Sequence, residues 1–357
     1  MPNLGQNTMT PERIFQNLER LHQIKKSATS VVGVELVRQD LEPTLRVAAN
    51  LATPLRNRFT RIGGEGNAHA YYVLTSNVGA NTPGAKFLGT DPTQGAFAKG
   101  GLPQGVDPNY SLIARPYANL GDVLNVAWQD MAQDRSFIDI KAQQRHVKMI
   151  NTGLIEEYTI INGNADATGG LQFDGLLTQI QKSGYNIVDA SAGGGSPLKF
   201  SLIEQICFAI SKAGGLVRGI VISYAMKQAI TQLIGVQYYG IRQTDMKSDG
   251  KISGGVEIDE WNFGTGTVKF VTDQYMMPDP ITGLERIIFL DDETDDPQNT
   301  GKAVMMVDVD PLHYAELANI ATADRGVVYE TTVLQVGILQ YQGLLAGLNL
   351  ALPSSLG

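Results

Sequence analysis

Hydrophobic positions recur most regularly between residues 137 and 162. There Val147, Ile150, Leu154, Tyr158 and Ile161 follow one another at spacings of 3, 4, 4 and 3, with Ile155 beside them. That periodicity predicts one face of an α-helix about 39 Å long, stopping at Asn162-Gly163-Asn164. A shorter stripe, Ile14, Leu18, Leu21 and Ile24, follows Thr10-Pro11-Glu12. The latter supplies a capping hydroxyl, a proline where no N–H is needed and an acid in the first turn. A helix this short holds only if its stripe packs on a core or on a neighbour. Residues 41–62, interrupted by Pro43 and Pro54, predict an extended arm with a short helix.

The period changes to two at residues 70–78, through Tyr72, Leu74, Ser76 and Val78, and 110–118 form a second extended run. Between them 79–109 is rich in Gly, Pro, Ala and Thr and poor in large apolar residues. A loop of this length is uncommon inside a compact domain and is usually functional. The whole predicts a long hairpin that projects from the body by up to about 45 Å. Nothing in its tip forms a core, so it must rest on something else.

From residue 173 the pattern alternates between α and β. Ser201-Leu-Ile-Glu204 reads as a capping box, with Leu202, Ile206 and Ile210 lining a helix that ends at Gly214-Gly215. Val217–Ile222 predicts a buried strand. Ser223 caps a second helix with Met226, Ile230 and Leu233 inward and a stop at Gly235. Further strands are expected at 256–263, 267–272, 286–290 and 303–309, a short helix at Asp310-Pro311, and a last extended segment over 326–350. The expected fold class is α+β with a central mixed sheet. There is no internal repeat.

Composition narrows the function. Lys and Arg number 28 against 36 Asp and Glu, a net charge of −8, which disfavours a protein that grips nucleic-acid phosphates by its own charge. The single cysteine, Cys207, excludes an internal disulfide and a multi-cysteine zinc site. Its apolar neighbours Ile206 and Phe208 predict a buried, inert thiol. Met1–Thr10 shows no basic segment followed by an apolar run, and no stretch approaches the length of a membrane span. A soluble protein made in a cytoplasm, without a membrane partner, is expected.

Catalytic chemistry finds little footing. Asp245-Met-Lys-Ser-Asp249-Gly250 resembles a calcium loop, with Asp245 and Asp249 as weak candidate ligands. Lys247 and Val256 stand where ligands belong. Asp291–Asp296 holds five acids in six residues and reads as a solvated loop. His22, His69, His146 and His313 are scattered, without zinc-site spacing. No phosphate-loop or nucleophile-elbow motif is present. No cofactor is expected. An α+β enzyme stays a remote alternative, resting on the 245–256 and 291–296 loops.

A folded body with a projecting hairpin, an N-terminal arm and no catalytic constellation points to a self-assembling structural protein, because ordering such extensions must be offset by interface burial. The order of parts resembles the major capsid proteins of tailed bacteriophages, the Hong Kong 97-type fold. Three stretches carry the likeness: LATPLRNRFTRIGGEGNA (51–68), GLIEEYTIINGNADATGGLQFDGLLTQI (153–180) and RGVVYETTVLQVGILQYQGLL (325–345).

The resemblance implies an N-arm (1–60), an extended E-loop hairpin (61–118), a P domain with a long spine helix (119–172, completed by 322–337) and an A domain (173–321, completed by 338–357). It implies a head protein that assembles as hexamers and pentamers into an icosahedral-type shell around double-stranded DNA, without sequence-specific binding. Scaffolding, portal and decoration proteins are possible partners. Assembly would take place in the host cytoplasm and end in the virion. Ile14, Leu18 and Leu21 of the arm, Tyr72 and Leu74 of the loop strand, Lys86 and Lys99 of the loop, and Glu156 and Glu157 of the spine helix become assembly residues. Some members cross-link a loop lysine to a neighbour's asparagine, which also needs a placed carboxylate. The arm is too short to contain a scaffolding segment, so a scaffold would be a separate protein or the chain starts at a processing point. An encapsulin-type compartment shell is the alternative within the same fold.

Overall fold

Pro54 occupies the first turn of a short helix, α1 (Pro54–Arg58), whose chain leads straight into β1 (Thr60–Gly63). A computed structural model describes residues 52–76, 98–101, 109–133, 139–237, 260–262, 266–293, 302–320 and 322–350. The chain divides into two units, Met1–Ala49 and Asn50–Gly357. Every described residue belongs to the second.

The two period-two runs pair as expected. β2 (Ala68–Ser76) and β3 (Asn109–Pro116) are antiparallel, from Ala68 opposite Pro116 to Leu74 opposite Tyr110. The chain then continues into β4 (Ala118–Ala127), a strand not among those expected. Its signal is present nonetheless: Ala118, Leu120, Leu124 and Val126 are buried while Asn119, Gly121 and Asn125 face outward. After α2 (Trp128–Gln133) comes the long helix α3 (Ile140–Asn162), capped by Asp139, whose side chain accepts from the Ala142 N–H at 3.0 Å.

The helix α3 packs on a four-stranded sheet of order β1-β11-β12-β4, in which β11 is Val304–Ile320 and β12 is Ala323–Val336. The pair β1–β11 is parallel and the others are antiparallel. Strand β11 runs through Asp310-Pro311, so the short helix expected there does not form. Pro311 has no N–H to give, and it falls within the register shift between Asp310 and His313, just after another at Asp308/Asp310, where the ladder is already interrupted.

The second sheet is mixed, with order β5-β13-β10-β7-β9-β8 and β6 beside β13. Its strands are β5 (Ile187–Asp189), β6 (Ser196–Pro197), β7 (Gly219–Ile222), β8 (Glu260–Asn262), β9 (Thr267–Thr272), β10 (Glu285–Leu290) and β13 (Gly343–Asn349). Every residue of β7 and β10 is buried. The segment expected to extend from 326 to 350 does so with one break, a 3-10 turn at Leu339–Tyr341, and thereby supplies a strand to each sheet.

Helices α4 (Leu176–Ser183), α5 (Phe200–Ala213) and α6 (Tyr224–Gln237) accompany the second sheet. The capping box at Ser201 is not made: α5 begins two residues earlier than that box requires, after Lys199, without a side-chain cap. Its end is as expected, since Gly214 has φ +104°, a left-handed conformation that suits glycine. The Ser223 hydroxyl accepts from the Met226 N–H at 3.1 Å, and Met226, Ile230 and Leu233 are buried. Helix α6 passes through Gly235 to Gln237 rather than stopping there. One core cluster gathers Leu55, Ile160, Phe173, Val307 and Leu334; a second gathers Ile206, Cys207, Ile220, Met226 and Phe289.

Candidate functional site

The long helix buries acids where its apolar stripe would be expected to face the core. Glu156 and Glu157 are fully buried with Thr152, Thr159 and Ile160, while Ile155 and Tyr158 remain 39% and 38% exposed. Burying a carboxylate demands charge partners and hydrogen bonds. Residues 54–61 bring both. Leu55 and Phe59 enter the core as anchors, and Arg56, Arg58 and Arg61 point at acids of the body.

Glu157 accepts the Leu55 and Arg56 N–H groups, each at 2.7 Å, and so satisfies two free donors at the start of α1. Glu156 takes Arg56 through Nε and Arg61 through Nη2. Arg61 also bonds Asp308 at 2.9 Å, and Arg56 lies 3.7 Å from Glu330. Burial pushes Glu157 up to about 8, and neighbouring Asp273 adds to the shift. Burial likewise pushes Glu330 up to about 8, with the charge of Glu156 adding. For Arg61, burial works against the charge, but Glu156 and Asp308 outweigh it and raise the guanidinium.

Arg58 clamps Asp292 at the end of β10 with two bonds, and the Asp291 carboxylate accepts the Leu216 N–H at 2.8 Å. The acidic run at 291–296 is therefore not a solvated loop at its start. Asp291 and Asp292 are buried, and Glu293 is exposed; residues 294–296 lie outside the described residues.

The hairpin has two unlike faces. His69, Tyr71 and Arg115 turn to the body: His69 Nε2 lies 2.8 Å from Gln335 Oε1, the Tyr71 hydroxyl donates to the Val336 carbonyl at 3.0 Å, and Arg115 bonds Asp174 at 3.2 Å. Tyr72, its partner Leu112, and Tyr110 form the opposite face, and Tyr72 is 70% exposed. An apolar ladder on a hairpin anchored by its other face is built for contact rather than for its own core.

Residues 129–349 match the sequence model of the family described as SU10 major capsid protein. The chain belongs to that family. No curated protein matches it. Among solved structures of similar fold is the capsid of a native GTA particle, at 15% identity and TM-score 0.59, covering 90% of this chain and 99% of that one. The capsid of cyanophage A-1(L) is similar at 11% identity and TM-score 0.59, with 90% and 99% covered. The holo-SrpI encapsulin complex of Synechococcus elongatus is similar at 11% and 0.57, with 91% and 97% covered. The fold is the Hong Kong 97-type α+β fold.

Membership of a major capsid family makes the chain a structural shell subunit of a phage, which builds multimeric shells and resides in the virion capsid. Of the candidate assembly residues, the structure brings Glu156 and Glu157 together with the arginines of 54–61, and puts Tyr72 on the open face of the hairpin. Lys99 stands exposed in a turn closed by the Gly101 N–H on the Ala98 carbonyl at 2.8 Å. Leu74 lies in β2, paired with Tyr110. Ile14, Leu18, Leu21, Lys86, Asp245 and Asp249 lie outside the described residues. Arg56, Arg58, Arg61 and Glu330 were not singled out in the sequence. The arginines' only signal was the R-x-R-x-x-R spacing around the apolar anchors Leu55 and Phe59, and Glu330 had none. Among the described residues no group of His, Cys, Asp and Glu gathers to hold a metal, and no helix is long and apolar enough to cross a membrane.

Proposed function

We propose that the chain assembles as hexamers and pentamers that close into an icosahedral-type shell around the double-stranded DNA of a tailed phage. One observation carries this reading: the hairpin β2–β3 packs one face on its own chain and leaves Tyr72, Leu112 and Tyr110 uncovered. A neighbouring subunit would cover that ladder. In family terms, residues before about 60 would form the N-arm, 61–118 the E-loop, and β4 with α3 and β12 the P domain. Strand β11, as the neighbour of β12 in one sheet, would belong with the P domain. The A domain would be built on the mixed sheet. An acidic wall suits packaged DNA that keeps its own counterions, and no sequence-specific binding follows. Scaffolding, portal and decoration proteins are the partners such a shell calls for, with assembly in the host cytoplasm.

Sedimentation and electron microscopy of the chain, alone and co-expressed with its scaffold, test the proposal. Shells, tubes or capsomers are expected. Deleting residues 79–105 should leave a folded body that no longer closes particles. A persistent monomer under all conditions, or normal particles from the deletion variant, would overturn it. The likeness to the Synechococcus encapsulin supports a second reading, a compartment shell. A co-purifying cargo enzyme would favour that reading, and packaged double-stranded DNA would exclude it.

A further inference from the structure

Five charged groups meet beneath β1, and their count is uneven. Arg56 and Arg61 face three carboxylates: Glu156 from α3, Asp308 from β11 and Glu330 from β12. Glu156 takes both arginines. Asp308 takes Arg61 at 2.9 Å and the Thr332 hydroxyl at 2.6 Å. Glu330 is left over. It is 1% exposed, its nearest cation is Arg56 at 3.7 Å, and neither of its oxygens receives a hydrogen bond among the described residues. An ionised carboxylate in that position is strongly disfavoured, and a neutral carboxyl far less so.

The same imbalance recurs one helical position away. Glu157 spends both oxygens on the Leu55 and Arg56 N–H groups and faces Asp273, which is also buried. Asp273 Oδ1 accepts the Tyr275 N–H at 2.7 Å, but its Oδ2 has no donor among the described residues. Burial holds the Tyr275 hydroxyl in its neutral form, and the negative charge of the Glu157–Asp273 pair adds to this. Two neighbouring buried carboxylates do not both ionise, and a proton on Glu157 offers Asp273 Oδ2 its missing donor.

We propose that Glu330 and the Glu157–Asp273 pair each hold one proton at neutral pH, and that these two protons latch residues 54–63 onto the long helix. The site lies against the α1–β1 segment that leads into the hairpin, so the latch governs how firmly that segment is seated. Losing the protons puts two uncompensated negative charges beside the acceptors that hold α1. The upward shifts of Glu157 and Glu330 agree with this. An acid raised on folding stabilises the fold at low pH, and that contribution is lost as pH rises through about 8.

The test uses the intact chain in any assembly state and so stands apart from the shell reading. Infrared difference spectra between about pH 6.5 and about pH 9.5 should show two protonated-carboxyl bands disappearing per chain. Glu330→Gln should remove one band and Asp273→Asn the other. Over the same interval the Leu55 and Arg56 amides should lose at least about tenfold of their hydrogen-exchange protection, after correction for intrinsic base catalysis. The double variant Glu330→Gln/Asp273→Asn, which mimics the protonated state, should keep that protection at the higher pH. A wild-type chain without a protonated-carboxyl band at the lower pH, or with unchanged protection at the higher, overturns the proposal even where no variant folds.

Discussion

Arg58 and Asp292 are joined by two hydrogen bonds, Nε to Oδ2 at 2.5 Å and Nη2 to Oδ1 at 2.8 Å. They stand 234 residues apart in the chain, and this fork fastens α1 to the end of β10. The guanidinium also lies against the backbone of Gly219, where an added Cβ would sit 2.8 Å from Nη2. Arg58→Ala strands a buried carboxylate and should cost about 3 kcal/mol. Arg58→Lys keeps the charge but loses the fork, and should cost about 1–2 kcal/mol. Urea unfolding of the two variants measures the difference. Equal costs would mean that the geometry of the fork, and not the charge that lysine retains, matters at this joint.

Gly175, in the Phe-Asp-Gly turn, donates its N–H to the Gly163 carbonyl at 2.8 Å. Its φ is an ordinary −76°, so what demands glycine is space. A Cβ there would lie 2.7 Å from the Gly163 nitrogen and 2.9 Å from the Ile160 carbonyl. Gly175→Ala must push α4 off the end of α3 and should destabilise by about 3 kcal/mol. An unchanged melting temperature would show that the turn yields more easily than the contacts imply.

Stability should fall on both sides of a mid-range maximum. Burial alone would raise Asp174, but Lys182, the Ala165 N–H and the charge of Arg115 outweigh it and hold the carboxyl below its usual range. Its contribution is present above the ordinary carboxylate pKa and is lost as pH falls through the lowered value. Glu157 and Glu330 act with the opposite sign and weaken the fold as pH rises through about 8. Melting temperatures across pH should therefore trace a dome. Replacing both Glu330 and Asp273 by their amides should flatten its alkaline side and leave the acid side unchanged.

Cys207 lies in the second core cluster, where burial pushes its thiol up to about 12. In native protein at mild pH it should resist alkylation. In urea it should label fully, at the rate of a free thiol. Rapid labelling of the native chain would show that α5 opens locally.

Tyr72 and Leu112 face each other across β2 and β3 with their side chains in solvent. Replacing both with serine should change protomer stability by no more than about 0.5 kcal/mol while suppressing capsomer formation in sedimentation. A large loss of stability would mean that the ladder serves the protomer's own fold.

Local signals survive where an element's partners are near or its pattern is regular. The alternation through Tyr72 predicted the hairpin, the Ser223 hydroxyl found its place as a cap, and Gly214 ended its helix as glycine in a left-handed turn does. β4 carries the same alternation, so its strand too is legible in the sequence. The strand through Pro311 was not legible, because proline argues against a strand until its place at a register shift is known.

The amino-acid sequence alone determined the α+β class, the hairpin and the long helix, since each follows from a periodicity of neighbouring residues. Tertiary structure alone decided which side of that helix is buried. Glu156 and Glu157 are inside because Arg56, Arg61 and the backbone of α1 arrive from about a hundred residues away to neutralise and bond them. No pattern within the helix records a charge that folding brings from elsewhere in the chain.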